Sequence, residues 1–149
     1  GPGGQRRNKV ETGVFIRHVP TGIEASATEA RSQEANRKVA IDRLRVRLAI
    51  EYRPPRGDQD APRHTPTALW TSRCRGGRIT VSRQHTDFAT LLAEAMTVVT
   101  HSHHDLSEAA RQLGCSTSQL TRLISMENAA LASVNRSREA LGRRPVRPR

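Results

Sequence analysis

The chain has 149 residues, with 25 Lys and Arg against 14 Asp and Glu, a formal net charge of +11 and a pI near 11.5. That balance points to a polyanion partner, nucleic acid first, and the length suits one domain or two small ones. Two cysteines, Cys74 and Cys115, are too few for a disulfide framework and form no CxxC pair; no apolar run approaches a membrane span, and no signal peptide is visible.

The first element is Gly1-Pro2-Gly3-Gly4-Gln5-Arg6-Arg7-Asn8-Lys9. Glycine lacks Cβ, so a Gly-Gly pair lets another molecule approach bare peptide N–H groups, which suit an oxyanion or a phosphate. Pro2 stiffens the start of this loop, and Arg6, Arg7 and Lys9 supply positive charge. Residues 10–30 then read as a β-hairpin. Val14 and Ile16 alternate with Phe15 and Arg17, His18-Val19-Pro20-Thr21-Gly22-Ile23 supplies turn chemistry, and residues 23–28 alternate again. Ser32 stands where an N-cap belongs, and Gln33 to Ala49 reads as a helix. Its apolar face is expected along Ile41, Leu44, Leu48 and Tyr52, with Ala40 beside it. The run Arg43–Leu48 also alternates with period two, as a strand would; the helical context before it favours helix.

Residues 53–66 contain four prolines and no apolar period, a linker or loop. Gly76-Gly77 precedes a short candidate strand over 78–82. Trp70 reads as an anchor of the C-terminal region to the first domain. A helix capped by Thr86 or Asp87 runs from Phe88 to about His101, with its stripe at Phe88, Leu91, Leu92, Ala95, Val98 and Val99. His101-Ser102-His103-His104 falls at that helix end, where cationic side chains suit the dipole. Its spacing does not match a ligand set, so no metal is expected. Leu106 to Leu113 is a short helix stopped by Gly114. Ser116 caps the next, and Gln119 is placed to complete a capping box. Helix, Gly-containing turn, helix is the helix-turn-helix pattern, here at about 105–125. If it binds nucleic acid, Thr117, Ser118, Thr121 and Arg122 are the contact residues; otherwise it is a compact αα-hairpin. A last helix over about 128–141 ends at Gly142. The basic tail 143–149 reads as disordered, with general affinity for phosphate.

Three of these stretches carry a resemblance. Gly3-Gly4-Gln5 with Asn8-Lys9, the turn His18-Val19-Pro20-Thr21-Gly22, and Arg31-Ser32-Gln33 with Asn36-Arg37 resemble, in order and spacing, the motifs of class I peptide chain release factors and their ribosome-rescue relatives. Arg37 stands where the family has Lys. The resemblance covers about residues 1–52. It implies a small hairpin-plus-helix domain over 1–53; with the Pro-rich linker over 54–67 and the mostly helical region over 68–149 read from the residues themselves, the expected fold class is α+β. It implies that Gly3, Gly4 and Gln5 are catalytic at the peptidyl transferase centre, with the Gln5 N–H stabilising the developing oxyanion while water attacks the peptidyl-tRNA ester. Arg6, Arg7, Asn8, Lys9, Arg31, Gln33, Asn36 and Arg37 are then the RNA-binding residues, the last four holding the helix start either to the loop or to RNA. The partners implied are ribosomal RNA of the large subunit and peptidyl-tRNA, for a cytoplasmic monomer with no cofactor and no membrane. Codon-specific members carry a stop-codon-reading domain N-terminal to this one, so either that domain was cut away or the chain is a codon-independent rescue factor. The competing readings are a helix-turn-helix nucleic-acid binder without hydrolase activity and a ribosome-associated factor that hydrolyses nothing.

Overall fold

Alternation of side chains over a short run, a glycine-closed turn and a capped helix build the first unit. The computed structural model describes residues 12–55 and 63–149. Strands β1 (Val14–Arg17) and β2 (Glu24–Ala27) pair antiparallel, with Val14 opposite Ala27 and Ile16 opposite Ala25. Ala25 and Ala27 are buried; Phe15 on the opposite face is 65% exposed. Gly22, at φ +74°, takes the left-handed conformation that closes the turn. Helix α1 (Gln33–Glu51) packs on the inward face of this hairpin, and Ser32 caps it by accepting from the Ala35 N–H at 3.0 Å.

The buried stripe of α1 is Asn36, Ala40, Val46 and Ala49. This corrects the expected face: Ile41 and Tyr52 are 40% and 46% exposed. The reason is steric. Ala40 and Ala49 of the helix and Ala25 and Ala27 of β2 are all buried where the two elements pack, and small side chains let helix and hairpin approach closely.

The chain divides between Tyr52 and Arg53 into two compact units. The second unit begins with residues tied to its own helices. Arg53 donates from Nε to Thr100 Oγ1 at 3.1 Å. At the far end of the Pro-rich stretch, His64 Nε2 lies 2.7 Å from Glu94 Oε2, and the Thr67 N–H reaches the same oxygen at 3.0 Å. Residues 68–79, where only a short strand is expected, form helix α2 (Ala68–Arg73) and a small hairpin of β3 (Cys74–Arg75) and β4 (Arg78–Ile79). Gly76 and Gly77 both have positive φ, 56° and 78°, as a two-residue hairpin turn requires.

Helices α3 (Phe88–His101), α4 (Leu106–Leu113), α5 (Thr117–Ser125) and α6 (Asn128–Ala140) complete the unit. The expected stripe of α3 is buried throughout, and α3 packs with α4 and α5, whose Leu106, Ala109, Leu113, Leu120, Leu123 and Ile124 are buried too; Val134 of α6 is buried as well, and α6 packs on α5. Trp70 is buried, and its indole N–H donates to the Leu113 carbonyl at 2.7 Å. It therefore anchors α2 to the end of α4, within the second unit, and not to the first domain. Gly114, at φ +70°, ends α4, with the Cys115 N–H returning to the Ala110 carbonyl at 3.1 Å. Asp87 precedes α3 but does not cap it; its carboxylate takes Arg73 at 2.9 Å instead. The tail is ordered, which corrects the reading of disorder. Asn135 brackets Val146 through both its amide groups, at 3.0 and 2.7 Å, and Arg138 Nε donates to the Arg144 carbonyl at 2.8 Å.

The histidine cluster is a helix ending. His103 and His104 have φ of 53° and 61°, the left-handed conformation usually given to glycine. The His104 N–H returns to the Val99 carbonyl at 2.9 Å. Burial, then the guanidinium groups of Arg53, Arg138 and Arg143 and the neighbouring His103, hold the His104 imidazole below its ordinary 6.5. A cation at this helix end is thus disfavoured at His104, against the dipole argument.

Two outcomes are expected. Trp70→Phe removes the indole donor and leaves a buried carbonyl unpaired, at a cost of about 1–3 kcal/mol in urea unfolding. The unfolded chain takes up a proton at His104 before the folded one does, so stability falls as pH drops below about 6.5. His104→Asn, which tolerates the same backbone, flattens that part of the stability–pH curve in urea melts between about pH 5 and 7.

Candidate functional site

Gly3, Gly4, Gln5, Arg6, Arg7, Asn8 and Lys9 lie outside the described residues. Thr12 follows them closely in sequence and is the first described residue, and a single side chain fixes it. Asn36, on the first turn of α1, is fully buried. Its Nδ2 donates to the Thr12 carbonyl at 2.8 Å and to the Ala30 carbonyl at 3.0 Å, while its Oδ1 accepts from the Ala30 N–H at 2.9 Å. Thr12 Oγ1 adds a longer bond to the Ala30 carbonyl, 3.3 Å. One amide thus joins the start of the hairpin, the segment before α1 and the helix itself. Asn36 is corrected from an RNA contact to an internal clamp: its donors and acceptor are used and no part of it reaches solvent.

Arg31, Gln33 and Arg37 stand around that clamp and are exposed. Gln33 and Arg37 are four residues apart, on one side of the helix. Other cations of the unit are committed. Arg17 pairs with Glu24 at 2.7 Å, Arg43 with Glu29 at 2.7 Å and with the Ser26 carbonyl at 2.8 Å, and Arg47 with Glu51 at 3.1 Å. The Arg43 hydrogen bond holds the Glu29 carboxyl below its usual range. Among the described residues neither Arg31 nor Arg37 has a carboxylate partner. The hairpin turn is also pinned from within: His18 Nδ1 lies 2.8 Å from Thr21 Oγ1, and the Ile23 N–H donates to the same oxygen at 3.2 Å.

The structure separates the four helix-turn-helix candidates. Thr117, Ser118 and Arg122 are exposed. Thr121 is 4% exposed and spends its hydroxyl on the Thr117 carbonyl at 2.9 Å, so it cannot face a nucleic acid. The capping box is half made. Ser116 Oγ accepts from the Gln119 N–H at 3.1 Å, but Gln119 turns its own side chain to the Ile79 N–H, also 3.1 Å. Sequence reasoning missed that link, and the Asn36 clamp as a clamp; a polar residue at a core-facing helix position was the available signal for the second.

No conventional nucleophile is poised among the described residues. Burial pushes the Cys115 thiol up to about 12, with Cys74 adding to the effect, and burial raises Cys74 as well. Both thiols are protonated at neutral pH. Among the described residues no group of three or more His, Cys, Asp and Glu is arranged to hold a metal ion, and no helix is long and apolar enough to cross a membrane.

The family profile of the RF-1 domain matches residues 1–87, more than half of the chain. The chain belongs to the RF-1 domain family. It is a class I release factor-like protein. It is similar to the chloroplastic peptide chain release factor PrfB1 of Arabidopsis thaliana, 52% identical over 50 residues, which cover 34% of this chain and 11% of the relative. An uncharacterised mitochondrial release factor-like protein of Saccharomyces cerevisiae is 50% identical over 52 residues, covering 35% and 34%. The mitochondrial translation release factor in rescue of Danio rerio is 45% identical over 53 residues, covering 36% and 34%. The chain thus spans about a third or less of the length of these relatives. No solved structure matches it.

Asn36→Ala is expected to destabilise the first unit by about 2–3 kcal/mol, because it removes three hydrogen bonds and leaves the buried Ala30 N–H without its acceptor. Hydrogen exchange at the Ala30 amide reads the effect directly, and exchange in the second unit is expected to stay unchanged.

Proposed function

We propose that the chain promotes hydrolysis of the ester joining a nascent peptide to tRNA on the ribosome, and that it does so without reading a codon, as a rescue factor. The reading is carried by one observation: Gly3-Gly4-Gln5 is intact and is followed, in a chain of this family, by a scaffold whose Asn36 amide fixes the backbone at Thr12. In this mechanism a water oxygen attacks the ester carbonyl carbon. The Gln5 backbone N–H donates to the oxyanion that develops, and the bond to the tRNA ribose oxygen breaks, with that oxygen leaving as a hydroxyl. The Gln5 side chain occupies the site so that water, and not a larger nucleophile, enters. The glycines give the approach that a Cβ would block.

Arg6, Arg7, Asn8 and Lys9 hold the loop against ribosomal RNA or the tRNA end, and Arg31, Gln33 and Arg37 add contacts from the helix start. Asn36 is a positioning residue. The protonated thiols agree with water as nucleophile, since no side chain need form a covalent intermediate. The similarity to the rescue factor of Danio rerio supports the codon-independent form of the reading. The working partners are then large-subunit ribosomal RNA and peptidyl-tRNA, with the chain acting as a monomer.

The test is release of labelled peptide from stalled ribosomes with no stop codon in the decoding site. The parent chain is expected to release peptide, and Gly4→Ala, whose Cβ blocks the approach that presents the Gln5 N–H, to slow release by about 10²–10³, the scale of losing that oxyanion donor. Equal and negligible release from both overturns the reading.

A further inference from the structure

The small hairpin of the second unit carries a charge arrangement that its fold does not need. Arg75 and Arg78 are directly opposite each other in the β3–β4 ladder, and both are exposed. Like charges in that relation destabilise a strand pair. Some arginines of this unit are paired with carboxylates, Arg73 with Asp87 and Arg83 with Glu127, each at 2.9 Å, and Arg111 with Glu108, while others, such as Arg136, Arg144 and Arg147, are not among the ion pairs of the described residues. Among the described residues Arg75, Arg78 and the exposed Arg122 of α5 have no carboxylate partner. Arg78 and Arg122 line, with Arg73, one cleft of about 410 Å³ whose other walls are residues 79–82. Thr80 and Ser82 there are exposed and bring hydroxyl donors.

The cluster is held in register by backbone bonds, not by the long arginine side chains. The Ile79 N–H donates to Gln119 Oε1 and the Ser116 N–H to the Gly77 carbonyl, each at 3.1 Å. Gln119 lies one turn before Arg122 on α5. On another side of that helix, Thr117, Ser118 and Thr121 border a pocket of about 350 Å³ with Val146, Arg147 and Arg149 of the tail. Thr117 and Ser118 stay exposed there, and Arg122 is exposed on the side of the hairpin.

We propose that Arg75, Arg78 and Arg122 form a docking site for the phosphate backbone of RNA, carried by the second unit and separate from the Gly-Gly-Gln stretch. Guanidinium forks suit phosphate oxygens, and a site without base contacts binds by charge and shape. RNA is the occupant because the guanidinium groups and the hydroxyls of Thr80 and Ser82 on one cleft complement a phosphodiester backbone, in a chain of net charge +11 that the reading above places at ribosomal RNA. The inference stands whether or not the chain hydrolyses peptidyl-tRNA.

The test measures binding of a labelled RNA hairpin to the full chain by fluorescence anisotropy across a salt series. The variant R75Q/R78Q/R122Q is expected to bind roughly tenfold more weakly or worse, and its log–log salt slope to fall by about 2–3, as when three phosphate contacts are lost. R75K/R78K/R122K is expected to keep most of the affinity. R136Q/R144Q/R147Q removes the same charge from other exposed positions and is expected to cost less than about threefold. Equal losses from the two glutamine variants, an unchanged slope in the first, or tighter binding to a DNA duplex of the same sequence than to RNA each overturns the proposal. Matching thermal melts of all variants exclude loss of folding as the cause.

Discussion

A buried primary amide holds the first unit in its working shape. Asn36 has one acceptor and two donors on a planar group, and the unit supplies a partner for each. Removing such a group strands backbone atoms in a site where water does not replace them. No other side chain of similar size makes the same bonds: Asp cannot donate, and Leu satisfies nothing. The hairpin, the segment before α1 and the helix are separate in sequence, and this residue bonds to the backbone of the first two from the third. The exposed Arg31, Gln33 and Arg37 depend on it, because their positions around the start of α1 are set relative to Thr12 through the same amide.

The second unit applies a related device at larger scale. Its hydrophobic core is ordinary, a stripe on α3 covered by α4 and α5, with α6 packed on α5. What distinguishes it is how its N-terminal part joins that core. The Trp70 indole satisfies a carbonyl at the end of α4, where helix carbonyls otherwise lack partners. The Gln119 amide, left out of a capping role, satisfies the edge N–H of Ile79. Residues 68–79 are thereby built into the helical bundle. The RF-1 domain match runs through them to residue 87, so it does not stop where the compact units divide.

Local signals were legible where a period or a cap decides the outcome. The hairpin, Ser32 as N-cap, the α3 stripe and the Gly114 stop could all be read from spacing, and the fold class followed. The face of α1 could not. Arg37, Arg43, Arg45 and Arg47 are scattered among its apolar residues, so no single stripe stands out. The choice between Ile41-Leu44-Leu48 and Ala40-Val46-Ala49 depends on what lies opposite, namely two alanines of a strand. The tail misled for a related reason: composition alone cannot show that Asn135 and Arg138 hold it. Of the candidate site, residue types pointed to Asn36 and Thr121, but burial decides their roles, and burial is a property of the assembled unit. Arg75 and Arg78 were invisible as a pair until the two-residue turn set them opposite each other.

The alanine-lined contact between α1 and its hairpin also bears on how this unit can change over time. Ala25, Ala27, Ala40 and Ala49 are all buried where the helix packs on the hairpin, in an interior with little room to spare. A larger side chain there forces the layers apart, and a glycine loosens the helix, so almost every single step inward is a loss. Variation is then confined to the outside of the helix and the outer hairpin face, where Phe15, Val39 and Ile41 stand in solvent. A scaffold with a frozen interior and a permissive exterior can acquire new neighbours without altering the geometry it presents at Thr12.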